Sequence, residues 1–400
     1  MIPRLSLRIG LLVGVITSGC GGSGSEPSPS PSPSPSPTAA PRRLARLWLL
    51  AAADDPDAAA PTRPVLLRSD DLGATWLSLA DSGLADSTTA IDFRDADHGV
   101  AAGGTVAQRT DDGGRTWITQ LDDPRRAPFP YLSLVGVHLD PSGSASALGN
   151  VIDDRYVDAA AYESYVLAPD GSAAQRTARY TTALAPLVSM CVTASGHGFA
   201  VGGFRFTMAN LAYSTTLGTI DGGATWDVLD EISGGGVTWY GAACGGDQDF
   251  WRFGFLLAGG GPFGPPPATG LTVDHSIDGG LTWDAPVDRA GIGAASLSAA
   301  SFVDRETGWF CGEDDGGLLV LHTTDAGATL VRQPLPAGIS GGLSSISFLS
   351  DRIGAAAGSA RGSDGRSVPL VLVTTDGGST WMRASSPPGT SYTMALDIVP

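Results

Sequence analysis

The chain has 400 residues, enough for one large domain or two to three ordinary ones. Glycine (55) and proline (28) are abundant, yet 42% of the residues are apolar and the glycines follow no collagen period, so most of the chain should fold. The formal charge is −17 and all 24 basic residues are Arg, which argues against nucleic acid as a partner and against a polybasic membrane-surface mode.

Arg4 and Arg8 precede a short apolar run, Ile9 to Ile16, far below the ~20 residues that span a bilayer. A positive start, a short apolar run and then small residues read as a signal peptide. The stretch Thr17-Ser18-Gly19-Cys20 resembles a bacterial lipoprotein signal, with Thr17 where Leu is usual. That resemblance implies a signal over residues 1–20, a lipid on Cys20, and an address at the outer face of a membrane in a bacterial envelope. Residues 21–41 include alternating Pro and Ser from Pro27 to Pro37. They have no apolar surface to bury and are expected to form an extended stalk. The folded domain is expected over 42–400.

The remainder repeats. An octet Ser/Thr-x-Asp-x-Gly-x-Thr-Trp begins at Ser69, Thr110, Thr219, Ser276, Thr323 (ending in Leu330) and Thr374. Its start-to-start spacings are 41, 109, 57, 47 and 51, so one unit is hidden in the long gap. Ala168 to Gln175 fills it, keeping only Asp170 and Gly171. Seven units of about 51 residues result. Before most octets stands a second element, an apolar strand ending in Phe93, Phe302 or Phe348, then a turn, then a strand bracketed by Gly99 and Gly103, Gly308 and Gly312, or Gly354 and Gly358. Short apolar strands between Gly/Asp turns, four to a unit, predict an all-β, seven-bladed β-propeller of four-stranded antiparallel blades. Thr393 to Pro400 reads as a first strand without followers, and Ala45 to Leu50 as a second strand without a first. The two termini should share one blade, which removes two open sheet edges.

The octet resembles the Asp-box, or BNR repeat, of sialidases and related propellers. The resemblance implies a structural role for Asp71, Asp112, Asp221, Asp278, Asp325 and Asp376, whose carboxylates would hold the hairpin between the last two strands of each blade. The pairing of the two elements over residues 43 to 400 resembles the Ycf48-like group (photosystem II assembly factor-like), whose members are assembly and stability factors that bind partner proteins. The sialidase likeness stops at the boxes. Sialidase chemistry needs an Arg cluster, a Tyr with a Glu partner and an Asp. The nearest approach to the family's Arg-Ile-Pro signature is Arg63-Pro64, and only Glu163 and Glu231 among the glutamates sit in variable segments. No calcium loop, Cys-x-x-Cys, metal-spaced His set or Gly-x-Ser-x-Gly elbow is present, so no metal or cofactor is expected.

Length variation falls in the loops between the second and third strands and between units, which emerge on one face, opposite the octets. Variable loops on a rigid scaffold are where binding is expected. There Trp239, which falls outside the repeat, and Tyr240 would form an exposed anchor for a protein or sugar, unless Trp239 packs within its strand. Arg125, Arg126, Phe129 and Tyr131 in one loop and Phe263 in another would add grip. Cys244 stands where the repeat has Phe, and Cys191 one residue before that position, so the two would meet across a blade interface as a disulfide or as two buried thiols. The expectation is a monomeric, non-enzymatic module for an envelope protein partner, touching the membrane only through its lipid. The rival is a glycan-binding or glycoside-hydrolysing propeller, marked by two carboxylates ~5–10 Å apart in a deep cleft.

Overall fold

In the computed structural model each octet is a self-contained turn between the last two strands of a blade. The structure describes residues 45–53, 63–125, 131–152, 161–181, 185–206, 211–233, 236–257, 268–284, 287–288, 296–315, 317–362 and 364–400. Cys20, the Pro/Ser stretch, Arg126, Phe129 and Phe263 lie outside these. In all six octets the first hydroxyl donates to the Asp Oδ1 at 2.8–2.9 Å and accepts the N–H of the fifth residue at 2.7–3.0 Å. The seventh residue, Thr, returns its N–H to Oδ1 at 2.8–2.9 Å and its hydroxyl to Oδ2 at 2.5–2.7 Å. The chain reverses through two successive left-handed residues. The first of these tolerates Leu72 and Ala326; the second is Gly in every copy. The hidden unit makes none of these four bonds: Ala168 and Ala174 carry no hydroxyls, the Ala174 N–H goes to Gln120 O at 2.7 Å, and Asp170 instead accepts the Ser172 N–H at 2.9 Å.

Seven four-stranded antiparallel sheets follow. Blade 1 joins the two ends of the chain, with Thr390–Val399 innermost, then Arg46–Ala53, Pro64–Ser69 and Leu77–Ser78. Blade 2 runs from Ala90–Phe93 to Ile118–Asp122, and blade 3 from Tyr131–Leu139 to Gln175–Thr181. Blade 4 runs from Leu187–Val192 to Asp227–Ser233, and blade 5 from Val237–Cys244 to Val287–Asp288. Blade 6 runs from Ser296–Phe302 to Val331–Arg332, and blade 7 from Gly341–Phe348 to Met382–Arg383. Each first strand touches the first strands of both neighbours, so the seven close into a ring. The protein is a seven-bladed β-propeller, and no helix occurs among the described residues.

The Gly-bracketed strand has a steric cause. In blade 6 a Cβ on Gly308 would lie 2.4 Å from the Phe302 ring, which folds across the paired strand. A Cβ on Gly312 would lie 1.9 Å from the Ser296 carbonyl oxygen, pushed inward by a bulge in the first strand. Between those glycines, Trp309 stacks on Phe348 of blade 7 at 3.6 Å and donates its indole N–H to Gly377 O in the blade 7 octet. Trp251 does the same on Phe302 and Ala326 O, and Trp48 stacks on Phe93 at 4.0 Å. These stacks join successive blades through fully buried indoles.

Candidate functional site

The bulge in the first strands overturns one expectation. Trp239 is fully buried and anchors nothing at the surface. It stands five residues before Cys244, as Leu134, Leu187, Leu297 and Leu343 stand five before the equivalent position, and all four of these are buried. The register slips between Trp239 and Gly241, so the bulged residue is Tyr240, which is 38% exposed and meets Phe255 edge-on. Trp239 therefore belongs to the repeat. Counting back from Cys244 would have found it.

On the variable-loop face the described residues gather around Glu163, near the start of the third strand of blade 3. Its carboxylate is wholly buried and accepts two bonds from Arg125, at 3.1 and 2.6 Å, and one from the Tyr165 hydroxyl at 2.6 Å. Arg176 donates at 3.1 Å, and Arg179 approaches to 3.7 Å. Arg125 also grips Asp123 through two nitrogens, at 2.9 and 2.7 Å. Burial alone would push the Glu163 carboxyl up. The Arg125 and Tyr165 bonds and the Arg176 charge outweigh it and hold the carboxyl below its ordinary range. Burial and the Glu163 bond push the Tyr165 phenol up, so it stays a donor. Arg125 is thus engaged within the fold, whereas Arg176 and Arg179 remain about half exposed, at 53% and 52%. Three guanidiniums face two carboxylates, a locally cationic rim on an acidic chain. Tyr131 opens the first strand of this blade and is half-buried. Arg176 and Arg179 were not expected from the sequence. Their signal is the run Gln175 to Tyr180, two Arg on the outermost strand of the one blade with a degenerate octet.

Farther round this face, a cleft of about 510 Å³ lies between blades 6 and 7, lined by Glu313, Arg361, Ser359, Ser367, Gly341 and Gly342. Glu313 is the sole carboxylate among these lining residues.

At three seams in the ring of first strands, the residue before the Phe position grips the next blade. Asp397 accepts the Phe93 N–H at 2.7 Å, Asp92 the Leu139 N–H at 2.7 Å, and Ser301 the Phe348 N–H at 3.0 Å. Burial, and then the charge of Asp92, push the Asp397 carboxyl up to about 7. These carboxylates sit toward the octet end of the ring, away from the variable loops. Cys191 occupies the same gripping position in blade 4, and the structure joins it to Cys244 of blade 5, with Cα atoms 6.0 Å apart. Cys311 is a buried free thiol, pushed up to about 12 by burial.

The octet carboxylates are consumed by their turns. At Asp278 and Asp376 the Thr hydroxyl and then the Thr amide hold the carboxyl below its ordinary range. At Asp71, Asp112 and Asp221 burial opposes, and bonds from Thr and from the leading hydroxyl still win. Among the described residues no group of three or more His, Cys, Asp or Glu is placed to hold a metal ion.

No family model and no curated protein sequence matches the chain. Solved structures do. A YCF48 bound to a D1 peptide is 16% identical, with a TM-score of 0.50, covering 85% of this chain and 88% of that one. A Glu150Asp mutant of the Synechocystis apocarotenoid oxygenase is 10% identical, with a TM-score of 0.53, covering 89% and 92%. A GH74 xyloglucanase from Xanthomonas campestris is 15% identical, with a TM-score of 0.49, covering 88% of this chain but only 60% of that enzyme. The first two likenesses speak to the fold alone, and a fold does not by itself assign a function.

Proposed function

We propose that the protein is an exported, lipid-anchored scaffold that binds another envelope protein and catalyses no reaction. The observation that carries this reading is the blade 3 rim. Arg176 and Arg179 stand half exposed on the outermost strand, held beside the buried Glu163 carboxylate, which Arg125 also grips. Planar guanidiniums so arranged recognise carboxylates, so the partner segment is acidic. The D1 peptide held by a YCF48 propeller supports the use of such a disc as a peptide platform. The lipid on Cys20 and the stalk over 21–41 would hold the disc away from its membrane.

The test is fluorescence anisotropy with a labelled Asp/Glu octapeptide at low and moderate salt. The wild type binds, more tightly at low salt, and Arg176→Glu with Arg179→Glu weakens binding at least ~10-fold. Equal binding by both proteins would refute the blade 3 site. The cleft between blades 6 and 7 favours glycan contact as the second reading. With one carboxylate among its lining residues, it suits binding rather than two-carboxylate hydrolysis. Reducing sugar released from xyloglucan or sialyllactose would overturn the non-enzymatic assignment.

A further inference from the structure

The repeat supplies its own control for the octet face. The second octet position is exposed in five of the six octets; in blade 1 it is half-buried, where Asp70 pairs with Arg46 and Arg68. That position is Asp70, Asp111, Thr324 and Thr375 in four octets but Ile220 and Ile277 in blades 4 and 5, exposed by 79% and 70%. The sixth position is Ala74, Arg115, Ala224, Ala328 and Ser379 elsewhere, and Leu281, 72% exposed, in blade 5. Nothing in the turn requires these apolar side chains, since the hydrogen bonds of all six octets are alike. Ile220 and Leu281 line one groove of about 290 Å³ between blades 4 and 5, floored by Leu229 and Phe250. Large apolar side chains gathered at the surface around a concavity mark an interaction site.

The walls of this groove are held at three levels. The Cys191–Cys244 disulfide joins them at the ring. At the octet face Ser195 donates to Asp247 at 2.6 Å, and the His197 Nδ1 lies 3.0 Å from Asp247 O. Below the floor Arg252 of blade 5 donates to Asp230 at 2.9 Å and to Thr216 at 3.1 Å, both in blade 4, while sandwiched between Trp239 and Trp283 at 4.3 and 4.2 Å. The groove is therefore formed before anything binds, which lowers the ordering cost of an occupant.

Charge selects that occupant. Asp227 and Asp278 line the groove and no Arg does; Asp278 is held ionised by Thr282. A second copy of this chain would bring the same acidic rim and a charge of −17 against it. We infer that the groove between the octet turns of blades 4 and 5 docks a peptide segment that carries apolar side chains interleaved with Lys or Arg. This surface lies on the face opposite the blade 3 rim and does not depend on that reading.

The test uses the full exported chain and labelled peptides of alternating Lys and Leu, of Lys alone, and of alternating Glu and Leu. The variant Ile220→Thr, Ile277→Thr, Leu281→Ser installs residues that the other octets already carry, so the turns remain satisfied. The Lys/Leu peptide should bind the wild type at least ~10-fold more tightly than the triple variant and than either control peptide binds the wild type. Asp227→Asn, at an exposed position, should weaken it ~3-fold at low salt and less at high salt. Equal binding by wild type and triple variant overturns the proposal. So does a wild-type dimer in sedimentation that the triple variant loses, which would assign the face to self-association. Sedimentation with phosphatidylglycerol vesicles that depends on the three residues would assign it to lipid and likewise overturn the peptide.

Discussion

The seam between blades 6 and 7 and the seam between blades 4 and 5 meet the same need with different chemistry. At the first, Trp309 stacks on Phe348 and ties its indole to the next octet, and Ser301 grips the Phe348 amide. At the second, Phe199 replaces the Trp and stacks on Phe250 instead, Cys244 replaces the Phe, and a disulfide fills the place of the gripping hydrogen bond. Arg252, which burial pushes toward losing its charge and which Asp230 and Asp274 hold charged, adds an ionic clasp. Apolar stacking gives ordinary cohesion. At the seam of blades 4 and 5 a disulfide and an ion pair accompany the Phe199–Phe250 stack, in place of the Trp–Phe stack and the gripping hydrogen bond.

The largest effect should come from the stacked seam. Trp309→Ala removes a fully buried indole and should cost about 3–5 kcal/mol, lowering the melting temperature by roughly 6–15 °C. A smaller drop than that from loss of the disulfide would invert the comparison. Next, Cys191→Ser with Cys244→Ser should cost about 2–4 kcal/mol. Dithiothreitol should lower the wild-type melt by the same amount and leave the double variant unmoved; buried Cys311 should stay silent to thiol reagents in the native state.

Asp221→Ala frees the Thr219 hydroxyl, the Thr225 amide and the Thr225 hydroxyl, for about 1–2 kcal/mol in urea titration. Asp170→Ala, in the degenerate unit, loses one exposed amide bond and should leave the urea midpoint where it was. Equal effects would mean that the octet bonds contribute nothing beyond the backbone turn. The smallest effect concerns pH. Asp397, raised to about 7 from 3.8 by burial and then by Asp92, holds a proton in the folded state that the unfolded chain has released. Its contribution therefore favours folding at acid pH and fades as pH rises from about 4 to about 7. Asp92 faces it, with His138 3.2 Å from Asp92. Asp397→Asn should flatten the pH dependence of stability in that window. The octet carboxyls, held low, run the other way, and the stability they give is lost as pH falls below about 4. A wild type whose stability is flat from pH 4 to 7 would remove the Asp397 effect.

Much of this architecture is local and could be read from residues. The octet closes on itself within eight positions, so its copies announce hairpins, their count announces blades, and the orphan strands at Ala45 and Thr393 announce the shared blade. The Gly brackets and the Trp at 48, 251 and 309 recur because each answers a contact made once per blade. The burial of Trp239 is harder to read locally, because a bulge at Tyr240 changes which face each residue takes, and a one-residue slip reverses every side chain before it.

What repeats is written in local spacing: the turn chemistry, the blade count and the closure of the ring. What is singular comes from packing across blades. That packing brought Arg125 from one inter-blade loop to Glu163 two strands away, set Arg176 and Arg179 above them, and aligned Ile220 with Leu281 from residues 61 apart across a groove. The reason is geometric. A repeat fixes positions through short-range hydrogen bonds and sterics, which local spacing records. A surface is assembled from several blades, and their neighbours in space are set by ring closure rather than by distance along the chain.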